Sequence, residues 1–132
     1  MPNIPVGTKG EEKLLVTNDV AIDFMGGAGA RVLSTPNLVH WLEMTARNSV
    51  VSLLDPGHDT VGITVHISHL AATPVGMVAT FRSEVLSVED RRINFKVEAW
   101  DEKDKIAEGT HQRAVVNVAK FATRVQAKAA QG

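Results

Sequence analysis

The stretch STPNLVHWLEMTARNSVV, Ser34 to Val51, limits the possible folds more than any other part of the chain. It has helical periodicity and one apolar stripe: at about 100° per residue, Val39, Leu42, Ala46, Val50 and Leu53 share a side. Such a helix is not stable alone, because its stripe has to be covered by another apolar surface. Thr35 suits the N-cap and Pro36 the first helical position, and "DPGHD" (55–59) stops the helix near Leu54. Glu43 lies on the shoulder of the stripe, one turn after Val39. It can pair with Arg47 four residues on, a contact worth roughly 0.2–0.5 kcal/mol on a helix surface. It can equally be sheltered beside Val39 and Val50, where a carboxylate becomes usable as a base or nucleophile.

The rest of the chain supplies the cover. "EEKLLVTND" reads as a first strand, preceded by an N-terminal arm (1–10) with two prolines and two glycines. "TVGITVHISHL" alternates, with Val61, Ile63, Val65 and Ile67 on one face and Gly62, Thr64, His66 and Ser68 on the other. "TPVG" (Thr73 to Gly76) reads as a turn. "MVATFRSEVLSVE" and "RINFKVEAWDE" flank a second turn at Glu89 to Arg91 and predict an antiparallel hairpin. "KIAEGTHQRAVVNV" follows the polar turn "DEKDK". The tail "KFATRVQAKAAQG" (120–132) is basic and forms a short helix or frays. The pattern predicts an α+β domain, a long central helix wrapped by a five-stranded antiparallel meander. Cystatin-like folds share that outline, so periodicity leaves the topology open. "DFMGGAGARVL" is glycine-rich but lacks the G-x-G-x-x-G spacing of a dinucleotide loop, and reads as a connection.

Composition narrows the function. With 132 residues, 44% of them hydrophobic, the chain is expected to be one globular domain, 1–132. A formal net charge of −1 disfavours a general nucleic-acid binder. There is no cysteine, hence no thiolate nucleophile, disulfide or cysteine metal site. No apolar run has the length of a membrane span, and "MPNIPVGTKGEEK" does not resemble a secretory signal. The expectation is a soluble cytoplasmic protein with no membrane or nucleic-acid partner.

A few polar residues could carry chemistry. His69 follows Val65 and Ile67 in parity, so on a regular strand its ring turns toward the helix; solvation or a backbone hydrogen bond is the ordinary alternative. His66 has the opposite parity, so "HISH" does not bring two rings to one metal, and no metal site is expected. Thr35 is accounted for as a cap. Arg113 in "GTHQRAVV" is either a surface residue or the cation that meets a phosphate or carboxylate. Trp41 and Met44 lie on the otherwise polar side of the helix and suit a partner surface, or pack under the chain's own strands.

Together, "TPNLVHWLE", "VGITVHISHLAATPVGM", "EDRRINFKVEAWDE" and "EGTHQRAVV" resemble the hotdog-fold acyl-CoA thioesterases of the fluoroacetyl-CoA thioesterase type. The likeness runs from Ser34 to about Phe121, and H-x-A-A-T-P-x-G with G-T-H-x-R are its most specific parts. It implies a hotdog fold and a thioester hydrolase acting on a small or medium acyl-CoA. It implies catalytic roles for Thr35, Glu43 and His69, and substrate contacts for Gly62 and Arg113. It also implies a homodimer or higher oligomer with sites across the interface, and no cofactor. The family's aromatic lid corresponds to "FMGGAGARVL", where glycine and alanine follow Phe24, so fluoroacetyl selectivity is not expected. The competing expectations are a hotdog hydratase or dehydratase and a non-catalytic acyl-CoA-binding module. In the hydratases the acidic residue and the histidine both lie on or beside the central helix, whereas His69 belongs to a strand.

Overall fold

The computed structural model describes residues 3–22 and 31–131. Strand β1 (Lys9–Leu15) leads to a 3-10 turn and to a short pair, β2 (Ala21–Ile22) and β3 (Val32–Leu33). Helix α1 (Thr35–Val50) and a 3-10 turn follow, then β4 (His58–His69), β5 (Val78–Glu89), β6 (Arg92–Trp100), β7 (Lys105–Asn117) and α2 (Val118–Ala130). The five longer strands form one antiparallel sheet in the order β1-β5-β6-β7-β4, and α1 packs across it. The α+β architecture matches the sequence reading.

The simple meander does not. β5, β6 and β7 form one, but β4 pairs with β7 at the far edge and has no contact with β5 in the ladder. The connection after β4 is held elsewhere: the Leu33 amide donates to the Thr73 carbonyl (2.9 Å) and Pro74 bridges Val32. The turn in this segment is Pro74–Met77, closed by the Met77 amide on the Pro74 carbonyl (3.3 Å), one residue later than expected. Gly76 takes its third position at φ +102°, where a side chain would be strained.

Alternation on β5 and β6 builds the core. Ala79, Phe81 and Val85 pack with Ile93, Phe95, Val97 and Ala99 against Leu38, Leu42, Ala46 and Val50 of α1, all fully buried or nearly so. Each large side chain contributes roughly 1.5–3 kcal/mol by leaving water. The buried stripe is centred one residue earlier than expected: Leu38 replaces Val39, and Leu53 lies exposed in the 3-10 turn beyond the helix. The arm is shorter than 1–10, because Lys9 already belongs to β1 and Ile4 is buried. Beyond β7, the tail forms helix α2 from Val118, with Asn117 as cap and no buried residue.

A β-bulge alters the expected face of β4. Gly62 pairs with Arg113 but Thr64 pairs with Gln112, so Ile63 is an extra residue, and it is 42% exposed. The bulge reverses parity. Thr60 and Gly62 face α1 before it, and Val65, Ile67 and His69 face α1 after it, opposite Val115, Arg113, His111, Gly109 and Ala107. Val61 and Ile63 therefore do not join the inner row, and Gly62 does. Among the described residues no helix is long and apolar enough to cross a membrane. The expectation of a missing aromatic lid concerns residues 24–30, which lie outside the described ones.

Candidate active site

Ser34, not Thr35, caps α1. Its hydroxyl accepts from the Asn37 amide (3.2 Å) and from Asn37 Nδ2 (2.7 Å), and Thr35 becomes the first helical residue. The Thr35 hydroxyl is thereby free to leave the helix, and its Oγ1 lies 2.8 Å from Nδ1 of His69, the last residue of β4. His69 Nε2 is buried with no hydrogen-bond partner among the described residues. Burial holds the ring below the ordinary imidazole pKa, and the backbone of Ala71 opposes this more weakly. The pair is a neutral imidazole oriented by a hydroxyl, with one ring nitrogen uncommitted.

Glu43 sits farther along α1, over β4 and β7. It does not pair with Arg47. Arg47 reaches Asp59 of β4 instead, Nε to Oδ1 at 3.0 Å and Nη2 to Oδ2 at 2.6 Å. The hydrogen bonds from Arg47 hold the Asp59 carboxyl below its ordinary pKa. The surface-pair reading of Glu43 is overturned because a forked guanidinium satisfies both carboxylate oxygens of Asp59 at once. Glu43 Oε1 instead lies over Gly62, where an added Cβ would come within 2.7 Å of it, and 3.9 Å from His111 Nε2. Its side chain is 32% exposed, so it borders both solvent and the sheet.

Arg113 and His111 lie beneath it, both inward on β7 and almost wholly buried. Arg113 donates from Nε to Thr60 Oγ1 (2.7 Å) and from Nη2 to the Thr60 carbonyl (2.9 Å). Its Nη1 is 3.1 Å from His111 Nε2, and His111 Nδ1 is 2.8 Å from the Thr64 carbonyl. A guanidinium only donates and a carbonyl only accepts, so His111 is neutral with its proton on Nδ1. Burial, and secondarily Arg113, hold it below the ordinary imidazole value. Burial also lowers Arg113, against the opposing charges of Glu43 and Asp59, yet a guanidinium keeps its proton. Arg113 is thus a buried cation near Glu43, not the surface residue considered above.

The five anticipated residues fall into two groups. Thr35 and His69 meet at the start of α1 and the end of β4; Glu43, Gly62 and Arg113 meet midway along both. Within one chain the groups are separate: eight residues of a continuous helix put Thr35 and Glu43 about 12 Å apart along its axis, and seven strand residues put Gly62 and His69 roughly 20 Å apart. Sequence reasoning passed over His111, Thr60 and Asp59. The period-two relation of His111 to Arg113 was the available signal for the first.

Comparison with known proteins gives the family. Residues 16–119 match the profile of the fluoroacetyl-CoA-specific thioesterases. The chain belongs to that family. It is 37% identical over 101 residues to a fluoroacetyl-CoA thioesterase of Streptantibioticus cattleyicolor, covering 76% of this chain and 73% of the relative. A solved structure of a fluoroacetyl-CoA thioesterase superposes with a TM-score of 0.86 at 30% identity, over 96% of this chain and 98% of that one. A Thermus thermophilus protein described as a thioesterase superfamily member reaches 0.90 at 25% identity, over 99% and 97%. As a member of the family the chain is a thioester hydrolase with the hotdog fold.

Proposed function

We propose that the protein hydrolyses small to medium acyl-CoA thioesters in the cytoplasm, at a site shared by two copies of the chain: Thr35 and His69 from one, Glu43, Gly62 and Arg113 from the other. The observation that carries this is the buried, unpartnered Nε2 of His69 beside a threonine hydroxyl, which leaves the ring short of a carboxylate. The free edge of β4 supports the dimer. Antiparallel pairing of β4 with its own copy, about an axis near Val65 and His66, brings His69 of one chain opposite Gly62 of the other, under Glu43.

In this site the Glu43 carboxylate removes a proton from water, and the water oxygen adds to the thioester carbonyl carbon. Backbone N–H groups beside Gly62 and at the start of α1 receive the oxyanion. Collapse breaks the C–S bond, and His69 Nε2 takes the proton from Glu43 and gives it to the departing sulfur, while Nδ1–H donates to the Thr35 hydroxyl to hold that tautomer. Direct attack by Glu43, giving an anhydride that water opens, uses the same groups. The glycine and alanine residues after Phe24 offer nothing aromatic to shield a fluoromethyl group, so the reading covers ordinary acyl groups and not fluoroacetate selectively.

The test is Glu43→Gln, assayed by release of free thiol from a panel of acyl-CoA esters. Turnover should be abolished at unchanged melting temperature, and wild-type rates in this variant would overturn the mechanism.

A further inference from the structure

We propose that the groove between the β5–β6 turn and α2 binds the phosphates of the CoA nucleotide. The inference rests on the acyl-CoA reading above and adds the site for the distal end of that substrate. The groove has a volume of about 570 Å³ and is lined by Arg91, Asn117, Ala119, Lys120, Thr123 and Arg124. Three of these six are cations and none is an acid.

Its lining holds cations without an acid, unlike the other surface cavities among the described residues. Several basic side chains elsewhere are paired locally: Arg47 with Asp59, Arg82 with Glu11, Lys96 with Glu98, Lys105 with Glu98 and Glu108. The 450 Å³ cavity on β1, β5 and β6 mixes Lys9, Arg82 and Lys96 with Glu11, Glu84 and Glu98. In the groove, by contrast, none of Arg91, Lys120 and Arg124 is within ion-pair distance of a carboxylate among the described residues. Glu89 and Asp90 share the turn with Arg91 but line the adjacent cavity. Helix α2 contains Lys120, Arg124 and Lys128 and no acidic residue, in a chain whose net charge is −1. Arg124 rests over the Phe121 ring at 6.0 Å, which restrains the guanidinium. Three uncompensated cations from two elements suit a multiply charged phosphate group: arginine binds phosphate in a fork, lysine as a point charge.

Position agrees with charge. Asn117 lies four residues along β7 from Arg113 and has the same parity, which places the groove about 13 Å from the Glu43 end of the site. The pantetheine arm of CoA spans that distance.

The experiment compares the full acyl-CoA ester with the acyl-pantetheine ester, which lacks the nucleotide, on the intact protein. In the double variant Lys120→Glu, Arg124→Glu, KM for the CoA ester should rise at least about tenfold, with kcat and the KM for the pantetheine ester unchanged. Lys128→Glu makes the same charge change outside the groove and should alter neither. An equal effect on both esters, or none on the CoA ester, overturns the proposal. No helix α2 residue is buried, so the variants should keep the wild-type melting temperature. If the wild type hydrolyses neither ester, the hydrolytic reading fails separately, and calorimetric titration with CoA decides the groove: weaker binding by the double variant supports it, equal binding overturns it.

Discussion

A single hydrogen atom separates the sheet from the Glu43 carboxylate at position 62. An alanine methyl there would meet the end of a flexible side chain and no backbone, so Gly62→Ala should leave the melting temperature nearly unchanged while displacing Glu43. A fall in kcat of about a hundredfold is expected, measured by thiol release. Gly109 is a different case: a methyl there would overlap the His66 carbonyl, which is fixed by the ladder, so Gly109→Ala should impair folding itself. The neighbours Ser34 and Thr35 divide the same way. Ser34→Ala removes a cap and should cost about 1 kcal/mol of stability, read by denaturant titration. Thr35→Ala leaves the cap intact and frees the His69 ring, so its loss should appear in turnover and not in stability. Sequence alone assigned the cap to Thr35, since both hydroxyls precede the proline and both satisfy the rule. The choice depended on His69, thirty-four residues away, which local pattern does not contain.

The helix, the β5–β6 hairpin and the last strand form where their patterns put them, because most of each buries a regular row, even though Leu86 on β5 and Ile106 on β7 are extra residues in the ladder. β4 was misread at its middle. Its bulge at Ile63 turns Gly62 and Thr60 inward, and that inversion lets Arg113 reach Thr60 and lets Glu43 rest on Gly62. Alternating apolar residues gave no sign of it, since Val61 and Ile63 are as apolar as a core row. His111 ties the bulge down through the Thr64 carbonyl and faces Arg113, Glu43 and the Phe95 ring. This has a consequence for pH dependence. His111 and His69 both have depressed pKa values when folded, so below about pH 6.5 the unfolded chain binds protons that the folded one resists. Stability is therefore full above that value and is lost as pH falls through it toward the depressed values. The melting temperature should drop between neutral pH and about pH 5.5, and less steeply in His111→Gln. An equal slope in that variant would show that His111 does not contribute.

At the scale of the whole molecule, the residues of the proposed site lie in two separate groups on one chain. Thr35 and His69 lie at one end of β4, with a ring nitrogen unpartnered. Glu43 lies at the middle, over Gly62 and the buried Arg113. α1 is continuous between them, so no local adjustment joins the two groups without breaking a helix. Among the described residues no strand pairs with the outer edge of the twelve-residue β4, and an open edge of that length is one that proteins usually cover or pair. Symmetric pairing would satisfy the edge and complete both sites together, which gives a test independent of any single mutation. Glu43→Gln and His69→Ala should each be inactive alone. Co-refolded in equal amounts, half the dimers are mixed, and each mixed dimer has one site with both native groups, so activity should return to about a quarter of wild type. A site confined to one chain predicts no recovery at any mixing ratio, because every chain in the mixture then lacks one of the two groups. Size-exclusion chromatography of the mixture shows whether dimers are present, so that an absence of activity among dimers counts against the shared site and not against assembly.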